Sequence, residues 1–283
     1  MSTILKIPHT IDLLCKCWNQ AELESQREIA FAASDSTEEQ ITFLFTKNFA
    51  ERLKKSSENG AVSTAFYQDL VGSFPMVDKS TNVLKQISNG LIAELSPHER
   101  QNEAHSGGDI GLQLIRPSIK CHVSTLKIDF NNARGLLVQA KLKNSNNNWG
   151  ELTTNQEVIL PEKTRFLAIL LYSYRDVGRH LLNCFTWQLC NGNSIEKIED
   201  WLKNDEFPSL VDSCRIISDL GTGMIGTSDA KEINKFITPK KNKSLIIRIF
   251  WPDDKKRPRS EVFFVTKHEF KETAKPMKIK CRW

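Results

Sequence analysis

The sequence predicts a mixed α/β fold with a helical N-terminal portion, and three observations predict it. Apolar residues recur at helical spacing through residues 1–100. From Asp109 the pattern changes to strand-like alternation. Beyond residue 180, strands and an amphipathic helix interleave. The 283 residues, 40% hydrophobic and 26% charged, are enough for one large domain or two modest ones with a sizeable core.

Ser36-Thr37-Glu38-Glu39 reads as a capping box, a hydroxyl at the N-cap and a carboxylate three residues on. Ile41, Leu44, Phe45, Phe49 and Leu53 follow as one apolar helix face. Ser57 to Gly60 is a turn, and Ala61 to Leu70 a short helix broken at Phe74-Pro75. Val83, Leu84, Ile87, Leu91 and Leu95 mark a further helix. Asp109 to Ile115 alternates as a half-buried strand does. Val123, Leu126, Ile128 and Phe130 continue the alternation, so 121–130 is either an inserted strand or the far half of one bent hairpin. Asn131 to Gly135 is a turn signal. Leu136 to Leu142 is an apolar strand interrupted by Gln139 and Lys141, and Lys143 to Trp149 is an Asn-rich loop. Phe166 to Tyr174 and Leu181 to Leu189 read as strands. Ser194 to Lys203 is an amphipathic helix capped by Ser194, with Ile195, Ile198, Trp201 and Leu202 on one face. Ser209 to Leu220 is a second helix, and Leu245 to Trp251 and Val262 to Val265 are the last strands. The chain divides into a helical portion (1–90), a core (91–180) and a C-terminal α/β extension packed on the core and ending in a basic tail (181–283).

Composition removes several classes of function. No run approaches the roughly 18 apolar residues of a membrane helix, and the start MSTILKIPHT lacks a signal peptide's apolar stretch, so a cytoplasmic protein without a membrane partner is expected. The seven cysteines are scattered without a repeated CxxC, which predicts idle thiols rather than a zinc site. Gly221-Thr222-Gly223-Met224-Ile225-Gly226-Thr227 lacks the GK[ST] ending of a phosphate-binding loop and reads as a turn or a loop shaping a cleft. The net charge of +5 is concentrated after Pro239, in Lys240-Lys241-Asn242-Lys243, Lys255-Lys256-Arg257-Pro258-Arg259 and Lys275 to Lys280. Such an end suits a polyanion, and suits a solvated lysine-rich face equally.

Two charged groups interrupt apolar strand sequence. Asp109 opens a strand after two glycines, and Lys141 sits inside one, on the same face as Gln139 by strand alternation. Buried polar groups are costly unless paired or bound, which makes this the place to look for chemistry. Phosphodiester hydrolysis uses these residue types. A carboxylate holds Mg²⁺, the ion polarises phosphate and activates water, and a lysine orients that water or stabilises developing charge. The glycines allow close approach of backbone and substrate.

Gly107-Gly108-Asp109-Ile110-Gly111-Leu112, followed by Leu136-Leu137-Val138-Gln139-Ala140-Lys141, resembles the PD-(D/E)xK nuclease superfamily. It is most similar to the branch in which glutamine replaces the second acid, as in Mrr-like restriction endonucleases. The resemblance covers residues 90–175. It implies a restriction-endonuclease-like mixed sheet flanked by helices and a metal-dependent endonuclease acting on DNA in prokaryotic defence, alone or with a protein partner. It also implies Mg²⁺ or Mn²⁺ held by Asp109, by the amide oxygen of Gln139 and by an upstream acid. Glu103 is the choice for that acid, ahead of Glu94 and Glu99. Lys141 becomes the catalytic cation, and Gln156 supports the site from the next helix. A glycine stands where the family has proline before the aspartate. The long span from Asp109 to Gln139 must fold back on itself, because a three-strand meander would put Asp109 and Lys141 at opposite ends of the sheet. Glutamine in place of an acid also fits a non-catalytic nucleic-acid-binding or sensor subunit on a degenerate nuclease fold. A third reading is an interaction module without nuclease ancestry.

Overall fold

The computed structural model describes residues 3–4, 6–30, 36–73, 92–94, 108–122, 125–144, 146, 148–152, 156–157, 160–174, 182–236, 248–250 and 278–280. In chain order the elements are β1 (Thr3–Ile4), α1 (Pro8–Ala30), α2 (Glu38–Glu58), α3 (Ala61–Ser73), β2 (Ile92–Glu94), β3 (Ile110–His122) and β4 (Thr125–Leu142). A 3₁₀ turn (Pro161–Phe166), β5 (Leu167–Tyr174), β6 (Leu182–Leu189), α4 (Ile195–Asn204), β7 (Leu210–Val211), α5 (Ser213–Thr222), α6 (Ala230–Phe236), β8 (Arg248–Phe250) and β9 (Lys278–Lys280) follow. Mixed α/β architecture, a mixed sheet flanked by helices and N-terminal helices are as the sequence predicts.

The helices start where side chains satisfy their first N–H groups. α1 opens on Pro8, whose missing donor costs nothing there. Its next donors, His9 N and Thr10 N, are taken by the buried carboxylate of Asp69 from α3, at 2.7 and 2.9 Å. The capping box of α2 lies one residue later than the sequence reading placed it. Thr37 Oγ1 accepts from Gln40 N at 3.3 Å, and Gln40 Oε1 accepts from Thr37 N at 2.9 Å. Ser36 and Thr37 are chemically equivalent caps, so composition alone cannot choose between them. Either cap leaves Glu38 in the first turn of α2. Ser194 caps α4 as expected, its Oγ accepting from Lys197 N.

The main sheet runs β1-β3-β4-β5-β6-β7, with β9 also on β4. Its centre is a long antiparallel hairpin in which His122 pairs with Thr125 and Ile110 with Val138. The stretch 121–130 is therefore the far half of one hairpin. Asn131 to Gly135, expected as a turn, stays in β4, with Asn132 to Gly135 opposite Arg116 to Gln113. The irregularity those residues signal appears instead as a register shift between Arg116 and Ser118, at Pro117, which has no N–H to give a ladder. β5 joins β4 in parallel, with Leu137 beside Leu167 and Lys141 beside Leu171, and β6 returns antiparallel to β5. The helix predicted through Val83 to Leu95 is corrected at its end, because Ile92–Glu94 is a strand paired with Arg248–Phe250; its earlier part lies outside the described residues. The predicted helix from Ser209 begins at Ser213, after the short edge strand β7. The strand predicted at Val262 to Val265 also lies outside the described residues.

Alternation along β4 divides the core. Leu136, Val138 and Ala140 face α1, α2, α3 and α5, in one cluster with Trp18, Phe45, Phe49, Tyr172 and Trp187. Leu137 faces the opposite side, with Ile169, Leu171, Trp149, Leu160 and the Ile195, Ile198 and Trp201 face of α4. Trp149, Trp187 and Trp201 are packing residues, as their sequence context suggested. The glycine-rich loop closes α5 and clips onto β4. Gly223 takes the left-handed cap, and Gly135 and Thr227 exchange backbone hydrogen bonds at 2.8 Å. Gly226 is required here: its φ is +76°, and a Cβ would stand 2.6 Å from the Gly135 carbonyl. Among the described residues no helix is long and apolar enough to cross a membrane.

Candidate functional site

The register of the central hairpin brings the predicted residues together. One step beyond the last pair, Asp109 N donates to Val138 O at 2.9 Å, which sets Asp109 beside Gln139. Lys141 is two residues further on the same face, in the diagonal relation that separates Cα atoms by roughly 7–8 Å across a strand pair. Gly108 lets Asp109 come in this close, since a Cβ there would lie 2.6 Å from Leu137 Cδ1 and 3.0 Å from Val138 O. Glu103 and Glu99 lie outside the described residues.

Because β3 begins at Ile110, the N–H groups of Ala140 and Leu142 on that edge of β4 have no strand partner among the described residues. Carboxylates take both. Asp109 Oδ2 accepts from Ala140 N at 2.6 Å, and Glu38 Oε2 accepts from Leu142 N at 2.8 Å. The two donors are two residues apart on one strand, roughly 7 Å. An aspartate from the sheet and a glutamate from the first turn of α2 thus line one strand end. Glu38 is the carboxylate at this strand end that the sequence reading did not single out. Its only signal was an acid in a first helical turn, where acids are common for the helix dipole alone.

Gln139 is fully buried, and its amide is oriented by two neighbours. Nε2 donates to Asp109 Oδ2 at 2.6 Å and to the Ala140 carbonyl at 3.1 Å, while Oε1 accepts from Gln156 Nε2 at 3.0 Å. Gln156, the residue expected to support the site, makes this bond from a short helical stretch after β4. The expectation of an amide oxygen facing a metal differs from this arrangement, in which the nitrogen faces the carboxylate. The reason is electrostatic: beside an anion, the donor end of an amide is the favourable one. Lys141, also buried, donates from Nζ to the Glu151 carbonyl at 3.0 Å, with its stem against Gly150. The 143–152 segment that holds it is tied down by Lys143. That amine pairs with Asp205 at 2.6 Å, and Trp149 Nε1 donates to the same carboxylate at 2.5 Å.

The charge around the site is negative. Tyr172, buried behind β4 and bonded to Thr42 Oγ1 at 2.8 Å, is pushed well above the ordinary phenol range, first by burial and then by the carboxylates of Asp109 and Glu38. On the other face, Glu199 is raised by partial burial and then by Glu157, Glu196 and Glu151. Among the described residues no group of three or more His, Cys, Asp or Glu side chains is arranged to hold a metal. The oxygens at the strand end are those of two carboxylates, Asp109 and Glu38, hard donors of the kind Mg²⁺ and Mn²⁺ take alongside several waters, whereas the oxygen of Gln139 is turned to Gln156. Tyr174 donates to the Ser36 carbonyl at 2.9 Å and so fastens the segment leading into α2. No family model, curated protein or solved structure matches the chain.

Proposed function

We infer that this is a metal-dependent phosphodiesterase of restriction-endonuclease-like fold acting on DNA, with its site at the open end of β4. The observation that carries this reading is the direct contact of Asp109 with Gln139 at one strand end, although 30 residues separate them, with Lys141 two residues on along β4, in the order of the PD-(D/E)xK resemblance. The parallel step from β4 to β5, with Gln156 in the connection, supports the same reading. Asp109 and Glu38 would hold Mg²⁺ or Mn²⁺, with Gln139 as auxiliary ligand, and the ion would supply Lewis-acid polarisation of a phosphate and activation of water. Lys141 would serve as the cation that orients the attacking water, once its amine leaves the Glu151 carbonyl. Glu38 takes the place first given to Glu103 as the acid from outside the hairpin. Defence against foreign DNA, with or without a protein partner, is the setting the resemblance suggests.

One observation favours a second reading, a non-catalytic nucleic-acid-binding or sensor subunit on the same fold. Lys141 Nζ is engaged by the Glu151 carbonyl, and Gln139 leaves Asp109 without a second charged ligand from β4. Plasmid nicking separates the two. The nuclease reading expects conversion of supercoiled DNA with Mg²⁺ or Mn²⁺, none with EDTA, and loss with Asp109→Ala or Lys141→Ala. Activity that survives both substitutions removes the site assignment, and binding without cleavage supports the subunit.

A further inference from the structure

We propose that Cys15 and Cys214 are a peroxide-reactive thiol pair, in which the Cys214 sulfur is oxidised and the Cys15 sulfur resolves it to a disulfide joining α1 to α5. The pair is independent of the chemistry at the β4 strand end. The two cysteines are 199 positions apart in sequence, yet Cys15 Sγ donates to the Cys214 carbonyl at 3.3 Å. Asn19, one turn further along the same face of α1, donates from Nδ2 to Cys214 Sγ at 2.9 Å. Two successive turns of α1 therefore close on one residue of α5, and the two thiols are themselves hydrogen-bonded neighbours. Cys17, two residues on from Cys15, is turned instead to Ser56 Oγ of α2, at 3.3 Å.

The surroundings divide the roles. Cys15 is buried, and burial first, then the Cys214 sulfur and Asp12, push its thiol up to about 12, so it keeps its proton. Cys214 is half-buried in the first turn of α5, and its bond with Asn19 lies at the surface, where a small oxidant reaches it. Reactive cysteines occupy such part-exposed places, with a donor aimed at the sulfur. In the first step the Cys214 sulfur attacks one peroxide oxygen. An S–O bond forms, the O–O bond breaks, and the departing hydroxide takes the thiol proton as water, leaving a sulfenic acid. In the second step the Cys15 sulfur attacks the Cys214 sulfur. The S–S bond forms, the S–O bond breaks, and the hydroxide leaves with the Cys15 proton as a second water. Each sulfur gives up one electron, and the peroxide takes both. Oxidation of Cys214 also removes a charge that helps to hold the Cys15 proton. The disulfide pins to α1 both α5 and the glycine-rich loop that clips onto Gly135.

Peptide mapping of the full chain tests the pair. The reduced, folded protein is treated with hydrogen peroxide, its remaining thiols are blocked, and its peptides are weighed with and without dithiothreitol. The Cys15 and Cys214 peptides are expected to appear joined, two hydrogens lighter than their sum, and to separate on reduction. With dimedone present to trap sulfenic acid, Cys15→Ser should carry the adduct at Cys214, and Cys214→Ser should carry none at Cys15. Cys17→Ser should form the same link as the unsubstituted chain. The map of the unsubstituted chain stands whether or not any variant folds. Absence of a link between Cys15 and Cys214 in the folded chain overturns the pair. So does a link that forms to the same extent in urea, because the approach of α5 to α1 would then play no part. A dimedone adduct at Cys15, or none at Cys214 in a folded Cys15→Ser chain, overturns the division of roles.

Discussion

Replacing Glu22 by glutamine should make the protein more stable at neutral and higher pH. Glu22 projects from α1 among Trp18, Trp187 and α5. Its Oε1 accepts from Ser213 Oγ at 2.7 Å, Trp18 Nε1 at 2.9 Å and Trp187 Nε1 at 3.5 Å. Burial pushes this carboxyl up to about 7 from an ordinary 4.5, outweighing the three hydrogen bonds that favour its ionised form, and Asp212 adds to the rise. Below pH 4.5 folded and unfolded chains both carry the proton, and the group contributes no pH dependence. Between 4.5 and about 7 the unfolded chain loses the proton and the folded one keeps it, so stability falls as pH rises. Each pH unit in that window is worth about 1.4 kcal/mol, giving a loss of about 3 kcal/mol, complete above pH 7. Glu22→Gln keeps an oxygen for the same three donors and does not ionise. Urea unfolding of both proteins from pH 4 to 8.5 isolates the effect, because their difference cancels every other titration. The curves should nearly meet at pH 4.5 and diverge to about 3 kcal/mol in favour of the glutamine by pH 8. A constant difference across the range would refute the reasoning, since the carboxyl would then titrate alike in both states.

Two further predictions concern helix starts. Asp69→Ala strips the acceptor from His9 N, Thr10 N and Thr10 Oγ1 at the beginning of α1, and should cost about 2–4 kcal/mol in urea or thermal melts. Thr37→Ala should cost about 1 kcal/mol and Ser36→Ala almost nothing; equal losses would mean that the capping box of α2 is not set by Thr37.

The hairpin shows how far a sequence reads. Alternation through 110–115 and 123–130 was visible, because strands with one buried face must repeat every second residue. Whether those runs were separate strands or one hairpin was not visible, because that depends on where the chain reverses. The strongest local turn signal, Asn131 to Gly135, proved to be strand. Gly135 is there to accept the backbone of Thr227, 92 positions away, a demand that no window of sequence contains. Asp109, Gln139 and Lys141 were legible because each breaks an apolar pattern at the cost of burying a polar group. Glu38 breaks no pattern. It lies among acids at a helix start, and only the start of β3 at Ile110 makes Leu142 N an unclaimed donor for it. The amide direction of Gln139 was equally hidden, since it follows from which charges stand at its two ends.

The same charges decide how a nucleic acid could reach the site. Asp109 and Glu38 line the strand end, Glu151, Glu157, Glu196 and Glu199 crowd the α4 side, and the nearest described cations are committed, Lys141 to a carbonyl and Lys143 to Asp205. DNA carries its own negative charge every 1.7 Å or so of helix axis. A phosphate approaching within about 10 Å of two carboxylates meets a repulsion worth more than a tenfold factor at an effective dielectric near 20. On the nuclease reading, a divalent cation must cancel that repulsion before duplex can seat. Fluorescence anisotropy with a short duplex, at matched ionic strength, should show affinity rising at least about tenfold from EDTA to Mg²⁺. Asp109→Ala should gain affinity in EDTA and lose most of the response to Mg²⁺. A sensor subunit that binds through the basic stretches after Pro239 has no reason to behave so. Equal affinity with and without the cation would therefore count against metal-loaded catalysis at this strand end, and would leave the basic stretches as the surface on which DNA is held.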